Sequence, residues 1–109
     1  MLGSKNIAAG TFNDLIGNNN AALGNANTIF GNANQVYQDN NCVTGNSNAV
    51  NGNVNTVYGS LNAVAGNVNQ VSGNLNSVVG SANTLDASGS RVQGNDNVVY
   101  STINTCSLV

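Results

Sequence analysis

Residues 45–79 read GNSNAVN GNVNTVY GSLNAVA GNVNQVS GNLNSVV, five consecutive heptads with one pattern, G-N-x-N-x-V-x. Extended outward from Gly45 in both directions, the register covers residues 3–107, which is fifteen heptads. Glycine holds slot 1 in 12 of the 15, and Gly89 alone among the 13 glycines falls outside it. Slot 2 is Asn, Ser, Thr or Asp throughout, and slot 4 is Asn in 14 of 15, with Ser90 the exception. Slot 6 is apolar or small in every heptad, from Ala8 to Cys106. A repeat this strict removes the alternative of a disordered asparagine-rich tract, although 25 of the 109 residues are Asn.

A seven-residue period first suggests a coiled coil. That needs two apolar positions per heptad in good helix formers. Here each heptad has one fixed apolar slot, and a recurring glycine costs about 1 kcal/mol each time in a helix interior. The β reading fits instead. In N-x-V-x, Asn and Val are two residues apart and share one face, while slots 5 and 7 share the other. G-N-x-N makes the corner, with Gly supplying positive φ and Asn tolerating the left-handed region.

Two heptads then close one 14-residue rung of an all-β solenoid, and the chain is expected to form a single repeat domain over 1–109. Val36, Val43, Val50, Val57, Val64, Val71 and Val78 are expected to fill its interior. Asn27, Asn34, Asn41, Asn48, Asn55, Asn62, Asn69 and Asn76 are expected to stack as amide ladders. Seven and a half rungs at ~4.8 Å give a rod about 36 Å long.

Composition narrows the function. Charged residues make up 6% of the chain, the net charge is −2, and there is no His and no Glu. No basic face exists for nucleic acid. The parts for acid–base catalysis or metal ligation are missing, so no enzyme and no cofactor are expected. No apolar run is long enough for a membrane span. The acids Asp14, Asp39, Asp86 and Asp96 are scattered. No signal peptide is visible.

The motif resembles the ice-binding and ice-recrystallisation-inhibition repeat of cold-tolerant grasses, x-x-N-x-V-x-G. Matching strings include Asn55-Thr56-Val57-Tyr58-Gly59, Asn69-Gln70-Val71-Ser72-Gly73 and Asn76-Ser77-Val78-Val79-Gly80. The resemblance spans the chain. It implies a left-handed β-roll with a valine core, Asn ladders and one flat Thr-rich face that binds ice. Asn62-Ala63-Val64-Ala65-Gly66 is also similar to strings in the roll-shaped heads of bacterial trimeric adhesins. The motif therefore specifies architecture more closely than activity.

Function is expected in slots 5 and 7. Alternate heptads supply opposite sheets. The even sheet carries Thr28, Thr56 and Thr84 on every second rung of one column, and Phe30, Thr44, Tyr58 and Tyr100 in the next. Thr28, Phe30, Thr44, Thr56, Tyr58 and Thr84 form the candidate ice-binding or lateral-contact face. No polar cap is visible at either end, and open strand edges template further chains. The leading expectation is a structural protein stacking end-to-end with itself into extracellular filaments. Ice binding through the Thr-bearing face, with an ice surface as partner, is the alternative, and an adhesin head or stalk segment is the third reading.

The register slips at Gln38 and at Ala87-Ser88-Gly89-Ser90, both read as tolerated corner changes. Cys42 is expected to face outward and Cys106 inward. They lie 4.5 rungs apart, about 21 Å at ~4.8 Å per rung, too far for a disulfide.

Overall fold

The computed structural model describes residues 1–102 and 105–107, with side chains described for residues 1–100. Fifteen short strands alternate between two parallel sheets, each strand from the N-x-V-x part of one heptad. The eight-stranded sheet takes β1 (Ile7–Ala9), β3 (Ala21–Leu23), β5 (Gln35–Tyr37), β7 (Ala49–Asn51), β9 (Ala63–Ala65), β11 (Ser77–Val79), β13 (Arg91–Gln93) and β15 (Thr105–Ser107). The seven-stranded sheet takes β2 (Asp14–Asn18), β4 (Thr28–Asn32), β6 (Cys42–Asn46), β8 (Thr56–Tyr58), β10 (Gln70–Ser72), β12 (Thr84–Ser88) and β14 (Val98–Thr102). Every pairing has a register of fourteen, as in Val43↔Val57 and Val57↔Val71. The chain is thus a β-solenoid with 14 residues per turn. Its Cα extents are 37 × 21 × 12 Å, close to the rod length that the repeat predicts.

The core is one slot-6 column from each sheet, Ala22 to Val92 on one side and Leu15 to Val99 on the other, joined by Ala87 from slot 1 and with Ala8 half-buried at its edge. Volumes compensate between the sheets. The small Ala8 and Ala22 lie on the eight-stranded sheet, and the larger Leu15 and Ile29 follow them in sequence on the other. Native packing density demands such pairing when, Ala87 apart, one apolar side chain per strand enters the core.

Slot 4 forms two buried amide ladders. Asn48 is representative. Its backbone N–H and its Nδ2 both donate to Asn34 Oδ1 at 3.0 Å. Nδ2 also donates to the Gly59 carbonyl at 2.8 Å, and Oδ1 accepts from Asn62 N and Nδ2. The amide is fully satisfied, as a buried polar group must be. Slot 2 adds outer ladders of the opposite sense. Asn18 N and Nδ2 donate forward to Asn32 Oδ1, and Asn32 donates forward to Asn46. Inner ladders donate back toward the N-terminus.

The corners differ from the expected conformation. Asn in slots 2 and 4 is not left-handed. That region belongs to slot 3, where all fourteen described positions have φ near +60°, including Phe12, Val54, Leu61, Val68 and Leu75. A β-branched residue there costs about 1–2 kcal/mol. Bonds to the preceding rung, such as Val54 N to Asp39 O at 3.0 Å and Val68 N to Asn53 O at 2.9 Å, hold the conformation. Slot 1 needs glycine for a further reason. A Cβ on Gly59 would lie 1.8 Å from the Gly73 carbonyl oxygen one rung on.

The two slips now have distinct causes. Gln38 keeps a positive φ of 79° without being glycine, and the neighbouring bond from Gly52 N to Tyr37 O lengthens to 3.2 Å. At 87–90 the glycine moves to slot 3, where Gly89 takes φ 66°. Ser90 replaces the ladder Asn. Its backbone N–H still donates to Asn76 Oδ1 at 3.0 Å, but its buried Oγ has no partner. Cys42 is a half-buried free thiol on the outer side of β6. The backbone of Cys106 registers with Val92; its side chain, expected to point inward, lies outside the described residues.

Two predictions follow from the ladders. Ser90→Asn supplies the missing Nδ2 donor to Asn76, and a gain of about 1 kcal/mol would raise the melting temperature by about 4–8 °C, read by circular dichroism. Asn55→Asp removes the donors to Asn41 Oδ1 and Gly66 O and sets a carboxylate against two acceptors, a loss of about 3 kcal/mol or more. Burial raises the folded-state pKa of this acid, so part of that stability returns as the pH falls from neutral toward about 4, and the return is complete once the unfolded carboxyl also protonates. A melting temperature for this variant that is flat with pH would contradict the ladder.

Candidate functional site

With the interior committed to the core and ladders, chemistry facing outward comes from slots 3, 5 and 7. On the seven-stranded sheet, slot 5 forms the column Asp14, Thr28, Cys42, Thr56, Gln70, Thr84, Val98. Slot 7 forms a second column beside it: Ile16, Phe30, Thr44, Tyr58, Ser72, Asp86, Tyr100. The six candidate face residues from the sequence, Thr28, Phe30, Thr44, Thr56, Tyr58 and Thr84, therefore lie on one sheet in two adjacent columns. Thr28, Thr44, Thr56, Ser72 and Thr84 are half-buried, flanked by neighbours one rung away on either side. Phe30 and Tyr58 stand out, 40% and 49% exposed.

The hydroxyls of these five Thr and Ser side chains make no hydrogen bond within the described residues, in contrast to Thr11 Oγ1 and Ser4 Oγ, which are tied into the outer ladders. Their hydrogen-bonding capacity is open to water. The opposite sheet has a different character. Its outward columns run Ile7, Ala21, Gln35, Ala49, Ala63, Ser77, Arg91 and Ala9, Leu23, Tyr37, Asn51, Ala65, Val79, Gln93. Ser77 is the sole aliphatic hydroxyl there among the described side chains. Tyr37, Ala49, Ala63, Ala65 and Val79 line a shallow, mainly apolar depression of about 250 Å³.

Slot 3, which the sequence left as freely variable, builds two ridges along the corners. Phe12, Ala26, Asn40, Val54, Val68, Ala82 and Asp96 follow one corner, and Lys5, Asn19, Ala33, Ser47, Leu61, Leu75 and Gly89 the other. In the middle rungs both ridges are apolar and exposed. A groove of about 400 Å³ runs between the first ridge and the Thr column, lined by Val54, Val68 and Ala82 on one side and Thr56, Gln70 and Thr84 on the other. The signal for the ridges was present in the sequence as Val54, Leu61, Val68 and Leu75 at intervals of seven. Its meaning needed the left-handed corner that turns those side chains outward.

No group of three or more His, Cys, Asp or Glu that could hold a metal occurs among the described residues. No helix there is long and apolar enough to cross a membrane.

No curated protein matches the chain. Among solved structures, the polySia-specific acetyltransferase NeuO is 17% identical over 97% of this chain and 79% of its own, with a TM-score of 0.26, a likeness too slight to bear on fold or function. The family described as the grass antifreeze beta roll matches residues 1–108. That match over residues 1–108, together with the 14-residue rung, valine core and paired Asn ladders of the described residues, places this chain in the grass antifreeze β-roll family.

Proposed function

We propose that the protein binds ice through the outer face of the seven-stranded sheet and so restrains ice growth or recrystallisation. One observation carries the choice of face: five aliphatic hydroxyls free of internal partners, Thr28, Thr44, Thr56, Ser72 and Thr84, stand one per strand on that sheet and alternate between its two columns, against Ser77 alone among the described side chains of the other. Within each column the hydroxyls fall on every second rung, about 9.6 Å apart at ~4.8 Å per strand, a regular spacing of the kind an ordered solid can meet. Threonine presents a hydroxyl to ordered water and a methyl that is better removed from liquid water. Its β-branch leaves few rotamers, so little entropy is lost on contact. The near-neutral surface suits an uncharged solid. On this reading the protein acts outside the cell.

Phe30 and Tyr58 interrupt the slot-7 column, which concentrates the contact on slot 5. Thr56→Lys puts a long charged chain at the centre of that column. It should raise the concentration needed to inhibit ice recrystallisation by roughly tenfold or more, with the circular dichroism melt unchanged. Ala63→Lys, at the centre of the opposite sheet, should leave inhibition intact. Loss in Ala63→Lys with retention in Thr56→Lys would assign the activity to the other face.

Axial self-association into filaments is a second reading. The constant register supports it: every strand pairs with the one fourteen residues on, and a further copy in the same register would continue both sheets with the same hydrogen bonds. Electron microscopy of the chain at moderate concentration should show filaments, formed equally by Thr56→Lys; discrete rods at every concentration would exclude the reading.

A further inference from the structure

We infer that the corner valines Val54 and Val68 belong to the ice-contacting surface, which continues from the Thr column around the edge of the sheet; this inference rests on the ice-binding reading above. The corner does not require valine. The same slot accepts Asn19, Asn40, Ser47, Asp96 and Gly89, which suit a left-handed backbone, while Val54 and Val68 are held at φ 59°, a strained conformation for a β-branched side chain. Burial does not compensate, because Val54 and Val68 are 51% and 57% exposed. Nor do they contribute to the core. What they do form is the wall of the groove whose other side is Thr56, Gln70 and Thr84.

The geometry suits an ordered solid. Val54 and Val68 are one rung apart, so their methyls repeat with the period of Thr56 and Gln70 beside them. The β-branch that makes the corner costly also limits χ1, so the methyls keep fixed positions. The other corner carries Leu61 and Leu75 in the same backbone conformation, equally apolar but longer and beside the sheet with few hydroxyls. It is an internal control with matched backbone conformation and similar exposure.

The test compares two double variants with Thr56→Lys, in ice-recrystallisation inhibition and thermal melting. Val54→Asn with Val68→Asn places at both positions the residue that the same slot carries at 19 and 40. Inhibition should weaken by roughly tenfold, while the melting temperature holds or rises. Leu61→Asn with Leu75→Asn should leave inhibition unchanged. Full inhibition in the valine variant alongside loss in Thr56→Lys would overturn the inference and leave the ice-binding face standing. A drop in melting temperature in the valine variant would also overturn it, since the valines would then be supporting the fold. Equal loss in the leucine variant would overturn it too, by showing a general dependence on corner hydrophobicity. Full inhibition in Thr56→Lys itself would instead remove the reading on which the inference rests.

Discussion

A buried carboxamide has two hydrogens to give and an oxygen to fill, and in this chain all three needs are met only by neighbouring rungs. Asn48 depends on Asn34, Asn62 and Gly59 together. That requirement fixes the period, because a rung of any other length would strand the amide. It also fixes the glycine, since the carbonyl that receives Nδ2 lies on a corner stacked too closely for a Cβ. Ladder, glycine column and 14-residue register are thus one device. The valines fill the space it encloses, at one side chain per strand. Such a core is too thin to specify register by itself.

Rung length, strand positions and inward columns were legible in the residues because each follows from alternation along a strand, and alternation survives any choice of outward residue. Val57 and Asn55 had to share a face, so Thr56 had to oppose them. The corner was not legible in the same way. Lys5, Phe12, Ala26, Val54 and Leu75 share one left-handed conformation that no common property of those residues would suggest. There the tertiary stack overrides local preference, and only the asparagines, glycine, serine and aspartate of that slot hint at it. Slot 2 was recognisable as polar, but its polarity served a second ladder as well as a turn. The Thr column was readable as a column. That its hydroxyls are unengaged, while those of Thr11 and Ser4 are tied down, required the bonds themselves.

Because four slots are taken by the scaffold, the outward slots can differ between the sheets without cost to the fold. One face gathers hydroxyls and the other alanines, on backbones of the same register. A solenoid of this kind separates the residues that make the structure from those that use it, slot by slot. The slip at Ser90 shows the limit of that freedom. A change in an inward slot leaves an orphaned hydroxyl, whereas Gln70 among the threonines disturbs no bond in the ladders.

The inner and outer ladders run in opposite directions. Along the inner columns the amide-to-amide bond runs toward the N-terminal end of the rod, as from Asn34 to Asn20, while the second N–H of the same amide donates forward to a corner carbonyl, as from Asn34 to Gly45. Along the outer columns the order is reversed, as from Asn18 to Asn32. Aligned amide dipoles add along a column as they do along a helix, so each ladder alone would polarise the rod from end to end. With the two amide-to-amide chains opposed, their dipoles offset one another in part, and lengthening the array by a rung adds hydrogen bonds to both.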